Sequence, residues 1–277
     1  MYFFEEFYVI ILKGDIMKNF LANLLIILFI ALLIFSTYNI ILWQKDNNNT
    51  SKKLNEINNV AKIKETNTGT SITNNDIKEF DPYYDYIKLK LIEVDFEKLK
   101  KINNDTSGWI KVEGTNINYP FVKGTNNSYY LTHSFDKSKN NAGWVFLDYR
   151  NNLTSDKNII IYAHGRQNGT MFGSLKNTIT DKWLNNKQNH IIKMSTEQEN
   201  TMWQVFSVYK IPTTTDYLKI TFNNNEFTTF TRILMKRSIY NFNTTVNNKD
   251  RILTLSTCYN NQEKVVIHAK LIKIQKR

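Results

Sequence analysis

The most restrictive feature of the sequence is an apolar run at residues 20–42, which has no charged residue between Lys18 and Lys45. A helix of this length crosses a hydrocarbon core of about 30 Å. A cleaved signal peptide is the alternative, but its apolar core is usually about 7–15 residues long and small residues follow it, whereas Trp43 follows here. The run therefore predicts a transmembrane anchor at residues 20–43.

The segment before the anchor, residues 1–19, contains two candidate translation starts. MYFFEEFYVIILKGDI differs from the charged region that normally precedes an apolar run, whereas Met17 is followed by Lys18 and Asn19, as in such a region. We therefore hypothesise that translation begins at Met17, and an intact mass that includes residues 1–16 would refute this. Lysines on both sides of the anchor leave its orientation undecided.

Beyond the anchor, composition separates a linker from a folded domain. Residues 44–80 are predicted to form a stalk or a loosely ordered helix, because residues 46–78 are rich in Asn, Lys, Thr and Ser and offer little apolar surface to bury. Residues 81–277 are long enough for one domain with its own core. Apolar residues recur near helical spacing at residues 87–102, which predicts helices where the domain begins.

From residue 108 the apolar period shortens to that of strands. The segment GWIKVEGTNINYPFVKG alternates apolar and polar residues between turn residues. Further strands are predicted at residues 143–148, 158–163, 190–194, 201–210, 251–258 and 264–274. An amphipathic helix is predicted at residues 226–240, between the strands at 201–210 and 251–258. This pattern predicts a mostly β domain, either a barrel or a sandwich.

The single cysteine of the chain ends a predicted strand with the sequence RILTLSTC. Leu253 and Leu255 share one face of this strand, and Ser256 and Cys258 lie on the more polar face. A polar loop follows at once, so the thiol is predicted to be accessible to a substrate. The alternative is a buried, inert cysteine.

A thiol with an ordinary pKa of about 8.5 needs a base or a cation beside it to react efficiently at neutral pH. His164 ends the apolar strand IIIYA and is followed by a glycine, so it also emerges from a strand onto a turn. For His133, His190 and His268 a structural role is the better interpretation of their positions. No HExxH or CxxC spacing occurs, and the sequence predicts neither a metal nor a cofactor.

Six ordered segments together resemble class B sortases: GWIKVEGTNINYPFVKG, YYLTHSFD, AGWVFLDYRN, NIIIYAHG, NGTMFGSL and RILTLSTC. The resemblance extends from about residue 83 onward. It implies a mostly β fold, a closed eight-stranded sortase-type β-barrel with N-terminal helices and a long helix before the cysteine strand, preceded by the transmembrane helix. It also implies that Cys258 is the nucleophile and His164 its catalytic partner. Papain-like proteases have the opposite chain order, with the cysteine first.

The third catalytic residue of the family is an arginine after the cysteine loop, where this sequence has Lys264. Lysine keeps the charge but loses the planar pair of donors. Three interpretations stay open: Lys264 acts as a point charge, Arg166 or Arg237 reaches the groove, or the enzyme is weak or inactive. Ser256 and Thr257 are predicted to contact substrate, with ordinary strand residues as the alternative.

The resemblance implies a single-pass cell-membrane protein with an extracellular catalytic domain. Its expected partners are the sorting-signal peptide of a secreted surface protein, cleaved after Thr through a thioacyl intermediate, and a peptidoglycan precursor or cell-wall peptide amine that accepts the acyl group. Class B relatives suggest a signal like Asn-Pro-x-Thr-x. One alternative is a catalytically silent wall-binding module. The net charge of +11 raises DNA binding as another, but the lysines are scattered and no nucleic-acid partner is predicted.

Overall fold

The structure of the protein is a computed structural model that describes residues 2–71, 84–258 and 262–277, with Cys258 described by its backbone. The chain forms two compact units, residues 1–49 and 50–277. Helix α1 (Tyr2–Val60) begins in the first unit. Among the described residues, its part from Met17 to Val60 is long and apolar enough to cross a membrane, and the side chains at residues 17–43 are exposed. By length and composition, this helix is a candidate for the predicted anchor.

Short elements precede the barrel in the second unit. They are β1 (Ile63–Thr66), β2 (Thr70–Ser71), α2 (Tyr84–Ile87), β3 (Leu91–Val94) and α3 (Glu97–Ile102). Strands β1 and β3 pair antiparallel. The helical expectation for residues 87–102 is therefore wrong in the middle, because Leu91 and Val94 are buried at a helix-like spacing but belong to a strand. The stretch predicted as a stalk also contains regular structure up to residue 71, and its residues 72–80 lie outside the described residues.

Eight strands close into a barrel. They are β4 (Thr106–Val112), β5 (Asn118–Val122), β6 (Phe146–Leu147), β7 (Asn158–Tyr162), β8 (Ile191–Ser195), β9 (Glu199–Pro212), β10 (Ile252–Cys258) and β11 (Glu263–Lys276). Their neighbour order is β10-β7-β6-β5-β4-β8-β9-β11, and pairing between β10 and β11 closes the ring. Strand β2 extends the sheet beside β11. The predicted eight-stranded barrel with N-terminal helices is confirmed.

Alternating residues of the barrel strands divide between two apolar clusters. Leu253 and Leu255 of β10 share the main core with Ile159 and Ile161 of β7. Ile252, on the opposite face of β10, belongs to a second cluster that includes residues of the long helix described next. Because side chains alternate along a strand, Ser256 and Cys258 occupy the same face of β10 as Ile252.

Two α-helices follow β7 among the described residues: α4 (Asp181–Leu184) and α5 (Asn224–Arg237). The long helix α5 begins with a capping box in which Asn223 Oδ1 accepts from the backbone N–H of Glu226 at 2.9 Å. Its buried Phe227 and Leu234 belong to the second cluster. The long helix predicted before the cysteine strand is thus confirmed, although it ends before the predicted residue 240 because Ser238 has an extended backbone.

A buried chain of hydrogen bonds joins the strands that carry the candidate catalytic residues. Tyr209 Oη lies 2.8 Å from His268 Nε2, and Thr254 Oγ1 lies 2.9 Å from His268 Nδ1. Thr254 donates its only hydroxyl proton to Asn158 Oδ1 at 2.7 Å, so it accepts from Nδ1–H and Tyr209 donates to Nε2. Asn158 in turn donates to the carbonyl of Lys219 at 2.8 Å. This series of hydrogen bonds requires a neutral His268. Burial lowers the pKa of His268 to about 3, and the positive charge of Arg237 contributes to this shift.

We expect the free energy of unfolding to fall as the pH drops below about 6.5, because unfolded His268 binds a proton that the folded protein excludes until about pH 3. The loss approaches about 1.4 kcal/mol per pH unit for one such group. Chemical denaturation of the wild type and of His268→Gln at pH 8, 6.5, 5.5 and 5 measures it. The pH 8 values give the cost of the lost hydrogen bonds alone, and the variant should show the shallower slope. Equal slopes would contradict the neutral, buried histidine.

Candidate active site

The ends of two parallel strands bring Cys258 and His164 together. Strand β10 pairs with β7 in parallel, with Ser256 opposite Tyr162. Continuing this register by two residues places Cys258 beside His164. Adjacent strands lie roughly 5 Å apart, so the backbones of the two residues are expected to be neighbours. The cysteine and histidine that the sequence singled out therefore share one edge of the barrel and one face of its sheet.

A side-chain hydrogen bond fixes this register immediately before the pair. Thr257 is buried, and its Oγ1 donates to the carbonyl of Ala163 at 2.8 Å. These are the residues directly before Cys258 and His164. The hydroxyl of Thr257 is thus used within the protein, where it ties together the two strand ends that carry the pair.

Ser256 is also engaged within the protein. Its Oγ lies 2.8 Å from the hydroxyl of Tyr217, which belongs to the segment between β9 and α5. Both side chains are buried. The structure therefore places Ser256 two residues from Cys258, in a contact that holds the segment between β9 and α5 against β10.

The imidazole of His164 is oriented by a backbone carbonyl. His164 Nε2 lies 2.7 Å from the carbonyl oxygen of Leu131. A carbonyl only accepts, so Nε2 carries a proton and Nδ1 is the nitrogen that takes or gives a proton at the site. The backbone of His164 is fixed as well, because its carbonyl accepts from the N–H of Phe172 at 3.0 Å.

A buried carboxylate lies next to the site. Asp148 accepts from Arg150 at 2.9 and 2.8 Å, from the hydroxyl of Tyr162 at 2.9 Å and from Asn127 at 3.0 Å. Burial alone would raise the pKa of Asp148, but the hydrogen bonds from Arg150 and Tyr162 hold it below its ordinary value. Tyr162 is the last residue of β7, and His164 follows it by two residues. The ionised Asp148 therefore anchors the end of the strand that leads to the imidazole.

Lys264 lies directly opposite Cys258. The antiparallel pairing of β10 with β11 matches these two residues, and directly opposed residues lie on the same face of a sheet. The other candidate cations are placed differently. Arg237 pairs with Asp216 and lies 5.9 Å from the ring centre of Tyr209, while Arg166 lies in the turn between His164 and Phe172. Of the three cations, Lys264 is the one that strand pairing places beside the cysteine.

The remaining histidines have contacts elsewhere. His190 is buried, its Nε2 lies 2.8 Å from the carbonyl of Leu184, and it packs against Trp183. His133 stacks on Tyr129 with ring centres 4.0 Å apart. His268 belongs to the buried chain described above. None of these three contacts lies at the paired ends of β7 and β10.

The sequence of the barrel is similar to that of a known protein family. A family model, the sortase domain, matches residues 110–272, more than half of the 277 residues. The chain belongs to the sortase family. Sortase B from Listeria monocytogenes is 37% identical over 154 residues, covering 53% of this chain and 61% of that protein. The chain thus matches about three fifths of the length of this curated relative.

Solved structures agree with this sortase assignment. Sortase B from Clostridium perfringens has a TM-score of 0.61 and 34% identity, covering 64% of this chain and 100% of that one. A sortase B–substrate complex from Staphylococcus aureus has a TM-score of 0.60 and 36% identity, covering 64% of this chain and 84% of that one. The predicted resemblance to class B sortases is confirmed.

Sequence reasoning missed several residues that shape the site of this sortase. The Leu131 carbonyl is a backbone group, which no residue type announces. Asp148 lies in the segment FLDYRN, where an aspartate two residues before an arginine was the available signal. Tyr217 gave no signal, because its contact with Ser256 joins distant parts of the chain.

Proposed function

We propose that this sortase is a membrane-anchored cysteine transpeptidase, which cleaves a C-terminal sorting signal after Thr and transfers the protein to a cell-wall amine. One observation carries the proposal: the parallel register of β7 and β10 brings His164 beside Cys258, with His164 already oriented by Leu131. A nucleophile beside a fixed base is the arrangement that covalent acyl transfer requires.

In the first half-reaction, the Cys258 thiolate attacks the carbonyl carbon of the scissile peptide bond. The carbon–nitrogen bond then breaks, and the proton on His164 Nδ1 passes to the leaving amine. The thioester that remains joins the threonyl carbonyl to the cysteine sulfur. In the second half-reaction the acceptor amine attacks the thioester, gives a proton to Nδ1 and releases the thiolate.

Lys264 is proposed to stabilise the negative oxygen that develops during both attacks. Its position opposite Cys258 supports this role, since a cation is most effective where charge forms in the transition state. An ammonium group supplies that charge without the planar pair of donors that an arginine offers. We therefore assign it the function of the family arginine, in preference to Arg166 or Arg237.

Ser256 and Thr257 are proposed to act chiefly by holding the site together. Each hydroxyl has a partner within the protein, Tyr217 for Ser256 and Ala163 for Thr257. Because both hydroxyl groups have partners, the predicted contact of these two residues with the substrate would be made by their backbone. We propose that the peptide binds beside this pair, and a solved relative is described as a sortase B–substrate complex.

The remaining parts of the chain are proposed to place this reaction at the cell surface. Residues 20–43 would form a single-pass anchor and residues 81–277 the extracellular catalytic domain. Residues 44–80 would join them, with residues 50–60 packed on the barrel. The exposed apolar surface of α1 supports the anchor. Partners of matching chemistry are a secreted protein with a Pro- and Thr-containing signal, and a peptidoglycan precursor or cell-wall peptide that carries a free amine.

Intact-mass spectrometry of the full chain in detergent tests the proposal. The protein is incubated with a library of signal-like pentapeptides, then with an acceptor amine such as triglycine. We expect a hydroxylamine-sensitive mass increase on Cys258 that disappears as the ligated product forms. A vinyl sulfone version of the best peptide should label Cys258 faster than it labels a free thiol. Labelling no faster than that would instead identify a catalytically silent module.

A further inference from the structure

The last turns of α1, residues 50–60, belong to the same compact unit as the barrel. Ile57 is fully buried in the main core, and Leu54 and Val60 pack against that core. Thr50 is 2% exposed although it is polar. This part of α1 is therefore an integral element of the barrel's packing.

Two polar contacts connect residues 50–60 to the loop between Leu131 and Gly143, here called the histidine loop. Asn140 Nδ2 donates to Thr50 Oγ1 at 3.2 Å, and Lys53 Nζ lies 2.9 Å from Asp136 Oδ2. Burial alone would raise the pKa of Asp136, but the hydrogen bonds from Lys53 and Ser138 hold it below its ordinary value. Asp136 also accepts from the hydroxyl of Ser138 at 2.6 Å, so its carboxylate organises the tip of this loop.

The histidine loop holds the imidazole of His164. The N–H of Asn140 donates to the carbonyl of Thr132 at 2.9 Å, which closes the loop directly beside Leu131, the acceptor for His164 Nε2. Gly143 has a φ of 63°, and a Cβ built there would lie 3.0 Å from His164 Cδ2. The loop therefore has little free space beside the ring, and a displacement of the loop is expected to move the ring.

We propose that residues 50–60 of α1 position His164 for catalysis, acting through Asn140, Asp136 and the Leu131 carbonyl. This inference rests on the proposed function, because it gives those residues a part in the same reaction. When the loop is held, Nε2 keeps its proton on Leu131 and Nδ1 is aimed at the reacting groups. When the loop relaxes, the acceptor moves, and the ring loses its fixed tautomer and orientation.

A purely structural role for residues 50–60 would require only the apolar contacts. Burial of Ile57 already stabilises the packing, whereas the single ion pair of Lys53 with Asp136, whose side chains are 21% and 27% exposed, is expected to contribute modestly to folding. The positioning role therefore predicts an effect on catalysis from the polar contacts that is out of proportion to their effect on stability.

The test uses the full chain in nanodiscs with four variants: Lys53→Met, Asp136→Asn, their combination, and Lys52→Met. Lys52 is the matched control, because it is the adjacent lysine of the same helix and its side chain is exposed. Turnover of the best signal peptide gives kcat and KM, and nitrogen-15 spectra of labelled histidine report the tautomer of His164. Thermal unfolding is recorded for each variant.

We expect Lys53→Met and Asp136→Asn each to lower kcat by about fivefold to tenfold, with KM within about twofold of the wild-type value. The double variant should be no worse than either single variant, because both interrupt one contact. The His164 signals should lose Nε2–H character, while the unfolding temperature and the Lys52→Met protein stay near the wild type. Unchanged kcat and ring signals in Lys53→Met, or an equal loss in Lys52→Met, would overturn the inference. If the wild type shows no turnover, the proposed function fails, and unchanged ring signals in Lys53→Met then overturn the inference separately.

Discussion

Replacing Cys258 with alanine is expected to abolish thioacyl formation completely, and replacing His164 with alanine should lower kcat/KM by about 10³-fold. The cysteine supplies the only thiol of the chain, and no other group can form the thioester. The histidine loss follows from the contribution of general acid–base catalysis, about 10²- to 10⁴-fold. Single-turnover acylation followed by intact mass measures both values.

His164→Gly serves as the companion variant for this experiment. Added imidazole should restore part of its acylation rate, because a free ring can occupy the space that the side chain leaves. The unfolding temperature shows whether the variants remain folded. A folded His164→Ala protein that acylates at the wild-type rate would remove the histidine from the mechanism.

Replacing Lys264 with methionine is expected to lower kcat/KM by about 10²-fold, the usual loss when one oxyanion donor is removed. Methionine keeps most of the length of the side chain and removes the charge. Lys264→Arg should retain or exceed wild-type activity, because the guanidinium offers two donors where the ammonium offers a point charge. Steady-state kinetics on the best signal peptide compares the three proteins.

Lys270 provides a matched control on the same strand. It lies on the same face of β11 as Lys264, but it pairs with Ile252 at the far end of β10 and donates to the carbonyl of Thr245 at 2.8 Å. Lys270→Met should change kcat/KM by less than about twofold. If Lys264→Met is as active as Lys270→Met, Lys264 is removed from the mechanism, and Arg166 and Arg237 become the candidates to test next.

The strands of the barrel could be predicted because each carries its own signal, whereas closure into a barrel rather than a sandwich was implied by the family resemblance. Alternation of apolar residues in RILTLSTC gives the strand and the two faces without knowledge of its neighbours. Strand β3 could not be predicted in this way, since its four residues are set by pairing with β1 across an intervening part of the chain. The helical interpretation of residues 87–102 failed for that physical reason.

The site also contains some residues that local sequence predicts and some contacts that only the structure reveals. The positions of Cys258 and His164 at strand ends follow from local patterns, and the family resemblance indicated Lys264 as the third residue. Only the register shows that Lys264 is directly opposite Cys258. The contact between His164 and the Leu131 carbonyl has no counterpart in residue type, so a sequence cannot reveal it without a structure.

The parallel pairing of β7 with β10 has a consequence for the biogenesis of this enzyme. Strand β10 and its partner β11 follow the other six barrel strands in the chain, so the ring cannot close until both have been synthesised. Until then, the nascent polypeptide contains His164 but no paired thiol. Since non-local pairing is slow, catalytic competence should appear late, after the upstream strands have collapsed. A partly synthesised chain is therefore expected to be inactive as a transpeptidase.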